Sequence, residues 1–208
     1  LIYLYFLMRE LKKYKFSKVF DLQNSSRTNF YKNILFPKVE KEIWSSSITT
    51  LPEDKNKEEF DKISVLERFD HQLRRSNLNT QNTLKPNFKW ASTNISEIRS
   101  SYKLDKYILL FPFCSPHLKI KKWPHYNKLI KLILNKYDVK YKIVTAPGPS
   151  EITDAKDLDA IALLDNGKPL DISQLTSLIE DSSFIIANDT GPAHIAAHVG
   201  AKGLTLFG

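Results

Sequence analysis

Apolar runs and helical repeats alternate in the second half of the chain. A continuous apolar run, typical of a strand buried on both faces, occurs at 107–111, and further strands are predicted at 140–145, 161–164, 184–187 and 204–207. Between these runs, the spacing predicts helices over 126–137, over 171–181 with Asp171 or Ser173 as N-cap, and over 192–199. Strands that alternate with helices favour a parallel, Rossmann-like sheet.

The pattern of the first half is weaker. Leu4, Leu7, Met8 and Leu11 recur at helical spacing, and an apolar stretch at 18–22 predicts a short strand. From 37 to 101 the signal weakens: 45–47, 52–57 and 77–86 are predicted loops, and helical periodicity returns at 58–73. We therefore expect a partial domain over 1–104 and a second domain over 105–208. The opening residue is Leu in mid-helix, which indicates a fragment.

Composition limits the classes of protein. With 42% hydrophobic and 26% charged residues in 208, the chain can build a sizeable core. The net charge of +8 favours anionic partners, and a solvated, lysine-rich surface explains it equally well. Cys114 is the single cysteine, so no intrachain disulfide can form. The apolar opening at 1–8 is shorter than a membrane span and lacks the flanks of a signal peptide.

The strongest chemical signal is the motif NDTGPAH at 188–194, between a buried strand and a helix start. Ligands of open parallel sheets bind beyond the carboxyl ends of the strands, and a helix N-terminus suits phosphate. Gly191 permits close approach of a ligand, Thr190 adds a hydroxyl, and His194 lies on the first turn. The alternative is that Asp189 and Thr190 simply cap the helix.

A second segment, at 115–124, follows the first strand of the same domain and opens at the same sheet edge. Lys121 and Lys122 could reach a diphosphate there, with Ser115 in the same loop, although a lysine pair is more often a solvated surface. No spacing of His and Cys supports a metal site. The sequence also lacks a Walker lysine motif and a GxGxxG loop, which argues against an ATPase or a standard dinucleotide binder.

Taken together, these motifs resemble glycosyltransferase family 9, the ADP-heptose:lipopolysaccharide heptosyltransferases. The resemblance rests on NDTGPAHIAA at 188–197, GLTLFG at 203–208, Lys-x-Trp-Pro at 121–124 and DLQNSSR at 21–27. Gly167 and Lys168 resemble the stretch before the penultimate strand of that family. The similarity covers most of the chain, and residues 38–104 match least.

The resemblance implies a GT-B architecture of two Rossmann-like domains, here lacking the first strand and the last helices. It assigns the acceptor to the N-terminal domain and a nucleotide-sugar donor, ADP-linked, to the C-terminal domain. Lys121 would contact the diphosphate, Thr190 and Gly191 would bind phosphate, and Asp189 and His194 would shape the pocket. It implies no metal and no cofactor, because the nucleotide sugar is a substrate. The acceptor would be a lipid-linked glycan, handled in the cytoplasm or at the cytoplasmic face of a bacterial inner membrane.

Two departures from the family pattern affect these expectations. The catalytic base is expected in a Gly-Asp turn before residue 1, so the fragment alone is expected to be inactive. Phe113 stands where the family has a small, glycine-containing turn, and it is expected to alter the donor pocket. A non-catalytic sugar-nucleotide or glycan-binding protein on the same fold is the alternative. A nucleic-acid binder is disfavoured, because no basic patch interleaved with aromatics is recognisable.

Overall fold

The computed structural model describes residues 2–36, 43–81, 83–137 and 140–207 and divides the chain into two units, Leu1–Lys85 and Pro86–Gly208. Gly208, the last residue of the GLTLFG motif, therefore lies outside the described residues. The division falls before residue 86 rather than after residue 104, where the sequence pattern placed it.

The N-terminal unit combines short helices with a small parallel sheet. Its elements are α1 (Ile2–Leu11), β1 (Val19–Phe20), α2 (Ser26–Leu35), β2 (Trp44–Ser45), α3 (Lys57–Asp61) and α4 (Val65–Arg75). The single helix expected over 58–73 is thus two helices. The break follows from a capping box, in which the Ser64 side chain accepts the Glu67 N–H and starts α4.

The interior of this unit is largely polar. Trp44 and Phe60 are its buried apolar residues among those described. Gln72 is 1% exposed, and its side-chain amide donates to the carbonyls of Asp21 (3.1 Å) and Ser45 (3.0 Å), which follow or end the two strands. Hydrogen bonds therefore hold the strand ends where apolar packing is sparse.

The C-terminal unit is built on five parallel strands with helices on both sides. Its elements are α5 (Ser96–Ser101), β3 (Tyr107–Phe111), α6 (Tyr126–Tyr137), β4 (Lys142–Thr145), α7 (Ile152–Ala155), β5 (Ile161–Ala162), α8 (Ile172–Glu180), β6 (Phe184–Asn188), α9 (Gly191–Val199) and β7 (Gly203–Leu206). The strand order is β5-β4-β3-β6-β7. The α/β class and the parallel sheet expected from the sequence are confirmed.

Strand β3 lies at the centre and is buried on both faces, as its unbroken apolar run predicted. Tyr107, Leu109 and Phe111 join an apolar cluster with α8 and α9. Ile108 and Leu110 point the other way, into a cluster with α6. Alternation of side chains along a strand explains why every residue of β3 must be apolar.

The strand order reverses at β3. From β3 the chain moves to β4 and β5 on one side, and then returns to add β6 and β7 on the other. In doubly wound sheets such a reversal opens a crevice between the loops that leave the two adjacent central strands. Here those loops follow β3 and β6, and they hold the two motifs that the sequence singled out.

Segment 86–104 belongs to the C-terminal unit because it is hydrogen-bonded onto that unit. The Phe88 N–H donates to the His198 carbonyl at 3.2 Å. Ser177 Oγ accepts from the Thr93 N–H at 2.7 Å and donates to the Thr93 carbonyl at 2.6 Å. These contacts are made by loop residues of low apolar periodicity, so the sequence pattern did not reveal them.

Candidate functional site

Asn188, the last residue of β6, joins the two loops at the strand reversal. Its side chain is fully buried and its Nδ2 donates to the Pro112 carbonyl at 2.8 Å. Its Oδ1 lies 3.1 Å from the Tyr126 hydroxyl and 3.4 Å from the Trp123 backbone nitrogen. Burial raises the pKa of Tyr126, so that hydroxyl stays protonated as a donor. The loop after β3 is thereby fixed to the end of β6.

Lys121 ends a 3-10 turn in that loop and points at the end of β6. Its Nζ donates to Asp189 Oδ2 at 2.5 Å and to the Asp189 carbonyl at 3.1 Å. The hydrogen bond and charge of Lys121 hold the pKa of Asp189 below its usual range. His194 Nε2 lies 3.7 Å from the other Asp189 carboxylate oxygen, and its side chain is largely exposed. Three residues singled out from the sequence thus lie together.

The start of α9 does not use these side chains as caps. Thr190 occupies the N-cap position without a side-chain capping bond, and its hydroxyl donates to the Asn188 carbonyl at 3.2 Å. Within the described part of the chain, the N–H groups of Thr190 and Gly191 have no hydrogen-bond acceptor. A Cβ added at Gly191 would meet no atom within 4 Å, so neighbouring protein atoms do not require glycine there. The helix start therefore faces open space with donors to offer.

A cavity of ≈ 560 Å³ opens beside this helix start. It is lined by residues of the loops after β3 and β4 and by the beginnings of α8 and α9, among them Phe113, Ser115, Glu151, Thr190 and Gly191. Its size suits a small organic ligand. Lys121 and Asp189 are not among the residues that line the cavity.

Lys122 takes a different position from its neighbour. Its ammonium lies 5.9 Å from the centroid of the Phe113 ring, and its side chain is exposed. Phe113 itself is 9% exposed and lines the cavity. The bulky residue that departs from the family pattern is therefore part of the wall of the pocket. The two lysines are therefore not equivalent, and Lys121 alone reaches Asp189.

Sequence reasoning missed three residues of this region. Asn188 was seen as part of the motif but given no role, and Tyr126 was assigned only to a helix. Glu151 was not considered, although its Oε2 accepts the Gly148 N–H at 2.8 Å and its side chain lines the cavity. The Pro-Gly-Pro turn after β4 was the available signal, because a turn at the carboxyl end of a central strand borders the ligand crevice.

Asp21, in the DLQNSSR motif of the resemblance, lies in the N-terminal unit. Its Oδ1 accepts the N–H groups of Gln23 (3.1 Å) and Asn24 (2.9 Å), so it organises the turn after β1. Across the described residues we find no group of three or more His, Cys, Asp or Glu side chains placed to hold a metal ion. No helix among them is long and apolar enough to cross a bilayer.

Comparison with known proteins assigns the family. The family model for glycosyltransferase family 9 (heptosyltransferase) matches residues 5–208. The chain belongs to glycosyltransferase family 9. A search of curated proteins finds no significant match.

Solved structures agree at the level of the fold. E. coli heptosyltransferase WaaC, solved with ADP-2-deoxy-2-fluoro heptose, matches with a TM-score of 0.64 and 15% identity, over 98% of this chain and 65% of that one. A family 9 glycosyl transferase from Veillonella parvula matches with a TM-score of 0.63 and 15% identity, over 99% and 66%. E. coli ADP-heptose lps heptosyltransferase II matches with a TM-score of 0.55 and 16% identity, over 96% and 64%. The chain thus has the α/β fold of these GT-B enzymes and spans about 65% of the WaaC chain.

Proposed function

We propose that the C-terminal unit binds the nucleotide diphosphate of a sugar donor, and that the protein transfers that sugar to a glycan hydroxyl. The observation that carries the proposal is that the N–H groups of Thr190 and Gly191 have no acceptor among the residues that the structure describes, while the Lys121 ammonium is bonded to the preceding residue, Asp189. Donors of this kind suit a diphosphate. The WaaC neighbours are solved with ADP and with an ADP-linked fluoro-heptose, which supports a nucleotide-sugar donor here.

The positions of the groups suggest how the donor is oriented. The cavity of ≈ 560 Å³ takes the nucleoside, because its size suits a small organic ligand and its lining is partly apolar and includes Thr190 and Gly191. The diphosphate lies over the start of α9. The sugar then extends towards Lys121, Asp189 and His194. Glu151, whose carboxylate lines the cavity, is available to accept hydroxyl hydrogens of the nucleoside.

The chemistry follows from this placement. As the glycosidic bond breaks, negative charge grows on the departing diphosphate. The Lys121 ammonium and the N–H groups at the start of α9 stabilise that charge without needing to reorganise, because Asp189 and the Asn188 contacts already hold them in place. The Asp189 carboxylate also balances the Lys121 charge before the donor arrives. None of these steps uses a metal ion.

We further propose a heptose-like sugar on ADP as donor and a lipopolysaccharide-core or other lipid-linked glycan as acceptor, handled at the cytoplasmic face of a bacterial inner membrane. The family assignment and the ADP-2-deoxy-2-fluoro heptose bound in one WaaC structure support the donor. The acceptor hydroxyl needs a general base. The resemblance places that base before Leu1, so we expect this 208-residue chain to bind a donor but not to turn it over.

The experiment compares two adjacent lysines. We expect Lys121→Ala to weaken ADP binding by about 1.5–3 kcal/mol, the scale of a hydrogen bond to a charged group, which is roughly ten- to a hundredfold in Kd. Lys122→Ala is the matched control, since it removes the same charge one residue away and should leave Kd within about threefold. Isothermal titration calorimetry with ADP measures both. Equal ADP affinity of the wild type and Lys121→Ala would show that Lys121 does not take part in binding the diphosphate.

A thermal-shift series then identifies the nucleobase of the donor. ADP, UDP, GDP and their sugar conjugates are compared, because a ligand that binds the folded state raises the unfolding temperature. We expect ADP and ADP-sugars to give the largest increase. No increase with any nucleotide, from a protein whose cooperative unfolding shows that it is folded, would overturn the donor site itself.

A further inference from the structure

One buried side chain closes the loop that carries Lys121. The loop leaves β3 at Pro112 and ends at Trp123, shortly before α6, and the Asn188 side chain contacts both of these ends. Its Nδ2 donates to the Pro112 carbonyl at 2.8 Å, and its Oδ1 accepts the Trp123 N–H at 3.4 Å. The start and the end of the loop are thus attached to a single amide group.

The Tyr126 hydroxyl reinforces this closure from α6. It lies 3.1 Å from Asn188 Oδ1 and 3.3 Å from the Phe111 carbonyl oxygen, and the residue is 3% exposed. The Trp123 ring packs edge-on against the Tyr126 ring, with 5.3 Å between the centroids. We call Pro112, Trp123, Tyr126 and Asn188 the loop anchor. It holds the end of the loop through both its backbone and its ring.

An amide at the buried end of β6 is an unusual choice of side chain. Asn188 is 0% exposed, and the three residues before it, 185–187, are buried and apolar. Burying an amide costs free energy unless its hydrogen bonds are made, whereas an apolar residue of similar size would avoid that cost. Asn188 makes its side-chain bonds to the loop and to α6. What this residue supplies is therefore a fixed geometry between segments.

The loop anchor lies next to both partners of the ion pair at the site. Asn188 is followed directly by Asp189. Lys121 lies two residues before Trp123, and its Nζ donates to Asp189 Oδ2 at 2.5 Å. A lysine side chain is long and flexible, so its ammonium takes a defined position only where the backbone that carries it is held. The loop anchor holds that backbone beside Asp189.

We propose that Asn188 and Tyr126 are positioning residues for donor binding, which place the Lys121 ammonium where the diphosphate of the donor lies. The inference rests on the proposed function and deepens it. Neither residue lines the cavity beside α9, so they act on the donor through another group. That group is Lys121, because it lies between the two anchored ends of the loop.

A second buried tyrosine supplies a matched control. Tyr126→Phe removes a hydroxyl from the loop anchor, whereas Tyr107→Phe removes the hydroxyl that donates to the Leu178 carbonyl at 2.6 Å, in the other apolar cluster. Calorimetric titration of the 208-residue chain with ADP should show Kd raised about three- to tenfold by Tyr126→Phe, the scale of one neutral hydrogen bond. Tyr107→Phe should change Kd by less than about twofold, although it also loses one buried hydrogen bond. Equal ADP affinity of the two variants would overturn the inference.

Combination with Lys121→Ala shows whether the effect passes through the lysine. In that background Tyr126→Phe should change Kd by less than about twofold, because the group that it positions is gone. A full effect of Tyr126→Phe in the same background would contradict the proposal. Asn188→Ala removes the contacts to both ends of the loop and should weaken ADP binding about ten- to a hundredfold, as Lys121→Ala does. If Asn188→Ala does not fold, the comparison of the two tyrosine variants decides.

The titration of Asp189 tests the inference without any nucleotide. Lys121, and more weakly His194, hold the pKa of Asp189 below its usual range. Tyr126→Phe should move the Asp189 midpoint, followed by NMR, towards that range, because a displaced ammonium stabilises the carboxylate less. Tyr107→Phe should not move it, and an unchanged midpoint in Tyr126→Phe would refute the positioning role. A wild-type chain that binds no ADP would instead overturn the donor site, so the two failures are distinguishable.

Discussion

The two units of this chain achieve order by different means. The C-terminal unit buries a parallel sheet between two apolar clusters, with β3 shielded on both faces. Among its described residues, the N-terminal unit has two strands of two residues each, and its buried side chains are mostly polar, including Ser45, Thr50 and Gln72. Apolar burial is non-directional and tolerates small displacements, whereas buried hydrogen bonds require fixed geometry. The donor site is proposed in the C-terminal unit, which is the unit stabilised mainly by apolar burial.

The largest effect is expected when a substitution creates a cavity in the apolar core of the C-terminal unit. Leu109, fully buried at the middle of β3, contacts one of the two apolar clusters. Leu109→Ala should lower the free energy of unfolding by about 2–5 kcal/mol, because it removes buried methyl groups and leaves a void. Urea unfolding followed by circular dichroism measures the change. Leu132→Ala, at a 58% exposed position of α6, is the control and should cost less than about 0.5 kcal/mol.

A smaller effect is expected in the N-terminal unit, where a hydrogen bond takes the place of a core. Gln72→Leu leaves the carbonyls of Asp21 and Ser45 without their donor and should destabilise this unit by about 1–3 kcal/mol. Limited proteolysis should show faster cleavage within residues 2–81. Gln23→Leu changes an exposed glutamine of the same unit and should leave the cleavage rate unchanged. If Gln72→Leu slowed cleavage, apolar packing would be the limiting factor in this unit too.

The smallest effect concerns the charge pair at the site. Lys121 holds the pKa of Asp189 below its usual range. A carboxyl whose pKa is lower in the folded state stabilises the fold above its unfolded pKa of about 3.9, and this contribution disappears as pH falls through the lowered value. Carboxyl carbon chemical shifts, followed by NMR from neutral to acid pH, report the titration. Lys121→Ala should return the Asp189 midpoint towards the usual range, and Lys122→Ala should not.

Much of the C-terminal fold was readable from the sequence, because its elements obey strong local rules. The limits of β3 and α6 agree with the apolar patterns, and Asp171 rather than Ser173 proves to be the N-cap of α8. Gly200 ends α9 with φ 79°, the left-handed conformation expected of a C-terminal glycine. The apolar pattern over 58–73 predicted one helix where the structure has two, because helical periodicity continues across the break before Ser64. The resemblance to family 9, stated from motifs alone, is confirmed.

The site was only partly readable. The sequence located the turn at 188–194 and the lysine loop, because each follows a buried strand. It could not show that Lys121 and not Lys122 reaches Asp189, which depends on the 3-10 turn at Pro116–Lys121. It also could not assign Asn188 its partners, because Pro112 lies 76 residues away and only the strand order brings the two together. The individual roles proposed for the site residues stay predictions until the binding experiments are done.

The order of strands has a consequence for how the chain acquires its shape during synthesis. Strand β3 leaves the ribosome before its neighbour β6, which is made only after α6, β4, α7, β5 and α8. Until then one edge of the most apolar strand is unpaired and prone to aggregate. The Lys121–Asp189 contact, 68 residues apart, closes after this late pairing. Competence to bind an anion should therefore emerge abruptly, once β6 has been made, rather than grow with chain length.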